Sequence, residues 1–167
     1  TSLAGEPAWS QERLRQLLFG EPLAALTGTT WQGGVAEGPV LVGNLTVATH
    51  LLGTPHLPDL RGAVLVLEDV GEAPYRLDRM LTHWRLCGAL QQLAAIGFGS
   101  FSGCDDPTPQ ERSSFSLEEV LRERTADLGV PVVSGLPVGH VAGNAALPLG
   151  AWAELDADRG RLRMLPG

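Results

Sequence analysis

Val64-Leu65-Val66-Leu67-Glu68-Asp69-Val70-Gly71-Glu72-Ala73-Pro74-Tyr75-Arg76-Leu77-Asp78-Arg79-Met80-Leu81 is the stretch that decides the fold class. Four β-favouring apolar residues run straight into two carboxylates. Such a run reads as a strand buried on both faces, as in a parallel sheet. A buried carboxylate is costly without partners, and in open α/β folds functional groups collect at the carboxyl ends of strands. Glu68 and Asp69 therefore stand where a site is expected. The loop over 71–74 leads into a helix over 75–86, where Tyr75, Leu77, Met80, Leu81, Trp84 and Leu86 mostly share one face.

The same alternation extends outward. Before the central strand, Ser10 is read as the cap of a helix over 11–19 that stops at Gly20. Residues 21–39 read as loop or short strands, 40–42 as a short strand, Gly43-Asn44 as a turn, and 45–52 as a helix. After it come a strand over 96–101, a polar loop over 103–114, and the capping box Ser116-Leu117-Glu118-Glu119, which opens a helix through Leu128. A buried strand over 130–134, a loop over 135–143 and two strands over 147–155 and 161–164 complete the chain. Strands alternating with helices predict an α/β domain with an antiparallel ending.

The 167 residues suffice for one domain with a real core. The formal charge of −7 argues against nucleic acid or an anionic membrane surface as a partner. Every basic residue except histidine is arginine, which excludes a Schiff base, a Walker lysine and a Ser-Lys dyad. Cys87 and Cys104 form neither a disulfide framework nor a zinc pattern. The histidines at 50, 56, 83 and 140 lack mutual ligand spacing, and no phosphate loop is present. No run is long enough to span a membrane and no signal peptide is visible. The first residue is Thr1, from which the chain is expected to be a fragment or processed product of a longer protein.

A Ser-His-acid site needs a nucleophile, a base, and an acid that orients the base. His140 lies in Pro137-Val138-Gly139-His140, directly after a buried strand, and Glu68 follows another. If both strands belong to one sheet, the two groups meet at one edge. The competing reading has His140 capping a turn and Glu68 paired with an arginine such as Arg79. No serine is a convincing nucleophile. Gly-x-Ser-x-Gly is absent, and Ser100 and Ser102 read as turn residues. Cys104 reads as a small core residue, and Thr1 as an N-terminal nucleophile only if exposed by cleavage.

Several segments in order resemble a known family: Val40-Leu41-Val42-Gly43-Asn44-Leu45, Gly53-Thr54-Pro55, the segment from Leu67 to Leu81, Pro137-Val138-Gly139-His140, and Asn144-Ala145-Ala146-Leu147-Pro148-Leu149-Gly150. Together they are similar to the C-terminal domain of the LD-carboxypeptidases, serine peptidases that include the muramoyl-tetrapeptide carboxypeptidases and the microcin C self-immunity peptidases. The resemblance implies a small swivelling β/β/α-type domain with a mixed sheet spanning residues 1–167. It implies hydrolysis of the L-D amide bond of murein tetrapeptide, with release of D-alanine, by a Ser-Glu-His triad. Glu68 maps to the triad acid and His140 to the base. The serine belongs to an N-terminal domain absent from this chain, so the isolated chain is expected to be inactive.

The resemblance further implies no cofactor, a cytoplasmic location, a homodimer, and a murein peptide substrate. Relatives often carry glycine at the position of Val42, and a local change in the turn is expected there. Successive strand residues face opposite sides, so Asp69 becomes a structural partner, to Arg79 or a backbone amide, with Tyr75 and Arg79 supporting the loop. The alternative from another class is a non-catalytic peptide-binding or dimerisation module that keeps the fold.

Overall fold

A computed structural model describes residues 3–105 and 115–166. Its strands are β1 (Leu26–Thr27), β2 (Thr29–Gln32), β3 (Val35–Asn44), β4 (Val64–Val70), β5 (Ala95–Ser102), β6 (Val132–Ser134), β7 (Trp152–Asp156) and β8 (Arg161–Met164). The helices are α1 (Ala8–Leu18), α2 (Leu45–Thr49), α3 (Pro74–Leu86) and α4 (Leu117–Thr125). The eight strands form one mixed sheet in the order β1-β8-β7-β3-β4-β5-β6-β2. Strands β3, β4, β5 and β6 run parallel, and the remaining pairings are antiparallel. The fold is the α/β class expected, with a mixed sheet.

The two ends of this order are consecutive in the chain. Strand β1 lies on β8, Gly28 follows, and β2 lies on β6. One extended segment thus bridges both edges and bends the sheet into a nearly closed barrel, which leaves little unpaired edge. Strand β3 does the same on the other side. Its first half, Val35 to Pro39, pairs with β7, and its second half, Val40 to Asn44, pairs with β4. The strand runs regularly through Val42, opposite Val66, and through Gly43 and Asn44. The expected turn at Gly43-Asn44 is therefore absent. Asn44 ends the strand and caps α2, its side chain accepting from Val47 N–H.

Alternation along β4 separates two cores. Leu65 and Leu67 face the helical side and pack with Leu77, Leu81, Trp84, Phe98 and Leu121. Val64 and Val66 face the barrel interior with Val40, Val133, Leu155 and Leu162. Each fully buried aliphatic side chain contributes about 1.5–3 kcal/mol relative to exposure, so both faces of β4 are anchored and its register cannot slip.

Local expectations differ from the structure in further places, and Ser100 and Ser102, expected in a turn, lie in β5. Ser10 is not a cap. It lies inside α1, whose N-cap is Pro7, and its hydroxyl donates to the Asn144 carbonyl. Helix α2 is shorter than expected, and 147–151 are not strand. The capping box at Ser116 forms: Ser116 N–H donates to Glu119 Oε2 at 2.7 Å, and Glu119 N–H donates back to Ser116 Oγ at 3.3 Å. Among the described residues, no helix is long and apolar enough to cross a membrane.

Candidate active site

Glu68 and His140 meet at the carboxyl ends of the parallel strands. Glu68 lies on the interior face of β4, beside Asn44 in register on β3. The chain leaves β6 and continues along β5, where Leu136 N–H donates to Phe98 O at 3.0 Å and Ser100 N–H donates to Val138 O at 2.7 Å. It then turns at Gly139 to present His140. His140 Nδ1 lies 2.8 Å from Glu68 Oε2, and His140 N–H donates to the same oxygen at 3.2 Å. The Glu68 side chain is 7% exposed and that of His140 53%.

Two glycines make this approach possible. Strand β5 carries a bulge, with Gly99 and Ser100 both opposite Glu68, a device common beside active sites. A Cβ on Gly99 would stand 2.3 Å from Val138 O, so only glycine lets the His140 segment cross there. Gly139 has φ +130°, and a Cβ on it would stand 2.8 Å from Glu68 Oε2. A side chain at either position would push acid and histidine apart.

A carboxylate oxygen only accepts, so Nδ1 is the donor of this pair, and in the neutral ring the lone pair is then on Nε2. Among the described residues none hydrogen-bonds Nε2. The histidine opens onto a cleft of about 340 Å³ lined by Val42, Gly43, Asn44, Glu68, Val138, Gly139, His140 and residues 144–147 and 149. This arrangement can take up and return a proton at the cleft.

A search with family models matches residues 37–155 to the LD-carboxypeptidase C-terminal domain. The chain belongs to the LD-carboxypeptidase family. A Synechocystis sp. protein named as a carboxypeptidase is 53% identical over 165 residues, covering 99% of this chain and 54% of that protein. The murein tetrapeptide carboxypeptidase of Pseudomonas aeruginosa is 42% identical over 128 residues, covering 74% and 39%. The crystal structure of muramoyltetrapeptide carboxypeptidase from Oxalobacter formigenes superposes with a TM-score of 0.82 at 30% identity, covering 95% of this chain and 54% of that one. The LD-carboxypeptidase domain described here thus spans about half the length of such relatives.

The other residues singled out from the sequence fall elsewhere in this LD-carboxypeptidase domain. Asp69 faces the helical side of β4 and accepts from Asn44 Nδ2 at 2.8 Å, Thr46 N–H at 2.9 Å and Thr46 Oγ1 at 2.8 Å. A backbone amide is its partner and Arg79 is not. The Arg79 guanidinium lies 5.2 Å from the centroid of the Tyr75 ring, in a surface groove with Glu72, Met80 and His83. Ser100 and Ser102 share a hydroxyl contact at 2.7 Å, and Ser102 Oγ donates to the His140 carbonyl at 3.3 Å, not to its ring. Cys104 is buried, and burial pushes its thiol up, as suits a core residue. Thr1 and most of the polar loop after Gly103 lie outside the described residues. Sequence reasoning missed Asn144, whose Oδ1 accepts from Gly139 N–H at 2.9 Å.

Proposed function

We propose that this chain is the C-terminal half of a serine LD-carboxypeptidase, that it supplies the Glu and His of a Ser-Glu-His triad, and that the serine resides in a preceding domain. The observation that carries the reading is the 2.8 Å contact between Glu68 Oε2 and His140 Nδ1 beside an open cleft. The proposed substrate is murein tetrapeptide, supported by the family and by relatives named for that activity.

In this reaction the serine oxygen attacks the carbonyl of the L-D amide bond and passes its proton to His140 Nε2. Glu68 holds the ring orientation and stabilises the imidazolium. The imidazolium then protonates the departing amine of D-alanine, leaving an acyl-serine. His140 next takes a proton from water, whose oxygen attacks the ester, and returns that proton to the serine as the truncated peptide departs. The oxyanion is stabilised by donors near the serine, hence outside this chain. A cytoplasmic site of action and a homodimer belong to the same reading through the family resemblance.

The test is D-alanine release from murein tetrapeptide by the 167-residue chain and by the chain joined to its preceding domain. Turnover is expected only from the joined protein. Turnover by the 167-residue chain alone would overturn the division of the triad.

A further inference from the structure

The turn that carries His140 is gripped from the opposite end of the chain. Two consecutive N–H groups hold the turn itself: Gly139 donates to Asn144 Oδ1 at 2.9 Å, and His140 donates to Glu68 Oε2 at 3.2 Å. Asn144 is held in turn. Its carbonyl accepts from Ser10 Oγ, and its N–H donates to Glu6 Oε2 at 3.4 Å. Gly143 N–H donates to that same Glu6 oxygen at 2.7 Å. Arg13 Nε donates to Ala146 O at 2.9 Å, and its Nη1 to Ala24 O at 2.6 Å.

The residues that α1 buries explain what this helix does. They are Ser10 and Arg13, both polar. An amphipathic helix that only covered a core would bury an apolar stripe. This one directs its buried donors at the backbone of 144 and 146. Buried polar groups with satisfied partners fix geometry rather than add bulk stability.

We propose that Asn144 is the positioning residue for His140, and that Glu6, Ser10 and Arg13 form a clamp that fixes Asn144. The inference rests on the reading of His140 as the base. Gly139 has no Cβ to restrict its backbone; Ser100 N–H holds the Val138 carbonyl end of its peptide at 2.7 Å, and the Asn144 oxygen holds the N–H end, which together keep the imidazole against Glu68. A displacement of about 1 Å from reactive geometry costs on the order of 10²-fold in rate.

The test uses the full-length protein, with steady-state D-alanine release from murein tetrapeptide and His140→Ala in the same series. Asn144→Ala and Glu6→Ala are expected to lower kcat about 10-fold or more while KM stays within about twofold. Asn144→Asp and Glu6→Gln keep an oxygen acceptor and are expected to restore kcat to within about threefold of the parent. Thermal melts identify any variant that fails to fold, and Glu6→Ala, at the surface end of the clamp, serves if Asn144→Ala does so. Unchanged kcat in Asn144→Ala and Glu6→Ala beside an inactive His140→Ala would overturn the clamp and leave the base assignment standing. Losses equally large in the Asp and Gln variants, or confined to KM, would overturn it as well. An active His140→Ala is a different failure, because it removes the base reading on which the clamp depends.

Discussion

Glu68 and Asp69 are neighbours in sequence and work on opposite sides of one strand. Glu68 Oε2 meets His140 Nδ1 at 2.8 Å on the barrel side of β4, whereas Asp69 accepts from Asn44 and Thr46 on the helical side. The two-residue period of a strand is the cause. Two adjacent acids thereby acquire different duties without any difference in local composition.

The first prediction is a separation of phenotypes. Asp69 is 2% exposed and satisfies three donors that tie α2 to β4. Asp69→Ala is expected to lower stability by about 2–4 kcal/mol, since it leaves three half-buried donors without their buried acceptor. Glu68→Ala should cost far less stability and far more activity. Urea unfolding of both variants checks this, and equal stability losses would contradict the division of roles.

Gly139→Ala forces a Cβ into the left-handed region and to within 2.8 Å of Glu68 Oε2. A stability loss of about 1–3 kcal/mol is expected from the backbone alone, with a larger fall in kcat because the carboxylate must move. Parent-like kcat in a folded Gly139→Ala protein would show that the observed acid-histidine geometry is not required.

The two thiols should differ sharply in reactivity. Cys87 is exposed and Cys104 buried with its thiol pushed up by burial. Under native conditions an aromatic disulfide reagent is expected to modify Cys87 quickly and Cys104 only on unfolding. Cys87→Ser should abolish the fast phase. A fast phase that survives would place Cys104 within reach of solvent.

Asp59 supplies a pH marker away from the site. Hydrogen bonds from the Arg61 side chain hold its carboxyl at about 2, below the usual value. A depressed folded value means that the stabilisation is present above the unfolded pKa of roughly 3.9 and fades as pH falls from there through about 2. Both partners are exposed, so the effect on stability is small. In an NMR titration, Arg61→Ala should raise the Asp59 midpoint toward roughly 3.9 without reaching it, because the residue 61 N–H still donates to Asp59 Oδ1. An unmoved midpoint would assign the shift to another cause.

What the sequence reveals depends on how local each signal is. The run from Val64 to Leu67 specifies a doubly buried strand on its own, and Ser116 with Glu119 specifies a helix start within four residues. Glu68 and His140 stand out because each follows a buried strand. Residues 26–32 are harder to read: they are two short Thr-rich pieces broken by Gly28, and they become strand only because β8 and β6 lie on either side. Pro39 hides the true length of β3, because pairing switches partner strands there. The contacts of Glu6 and Ser10 with the His140 loop join opposite ends of the chain, where no periodicity reaches. Ser10 looks like a cap in sequence because hydroxyl residues commonly are, yet its donor is taken by Asn144.

On the proposed reading, Glu68 and His140 act as one unit in amide hydrolysis. The decisive measurement is kcat/KM for D-alanine release by full-length protein carrying His140→Ala, Glu68→Ala, or both. A loss on the order of 10³-fold or more is expected for His140→Ala, a substantial loss for Glu68→Ala, and little further loss in the double variant. Near-parental activity in either single variant, or multiplicative losses in the double, would contradict that reading.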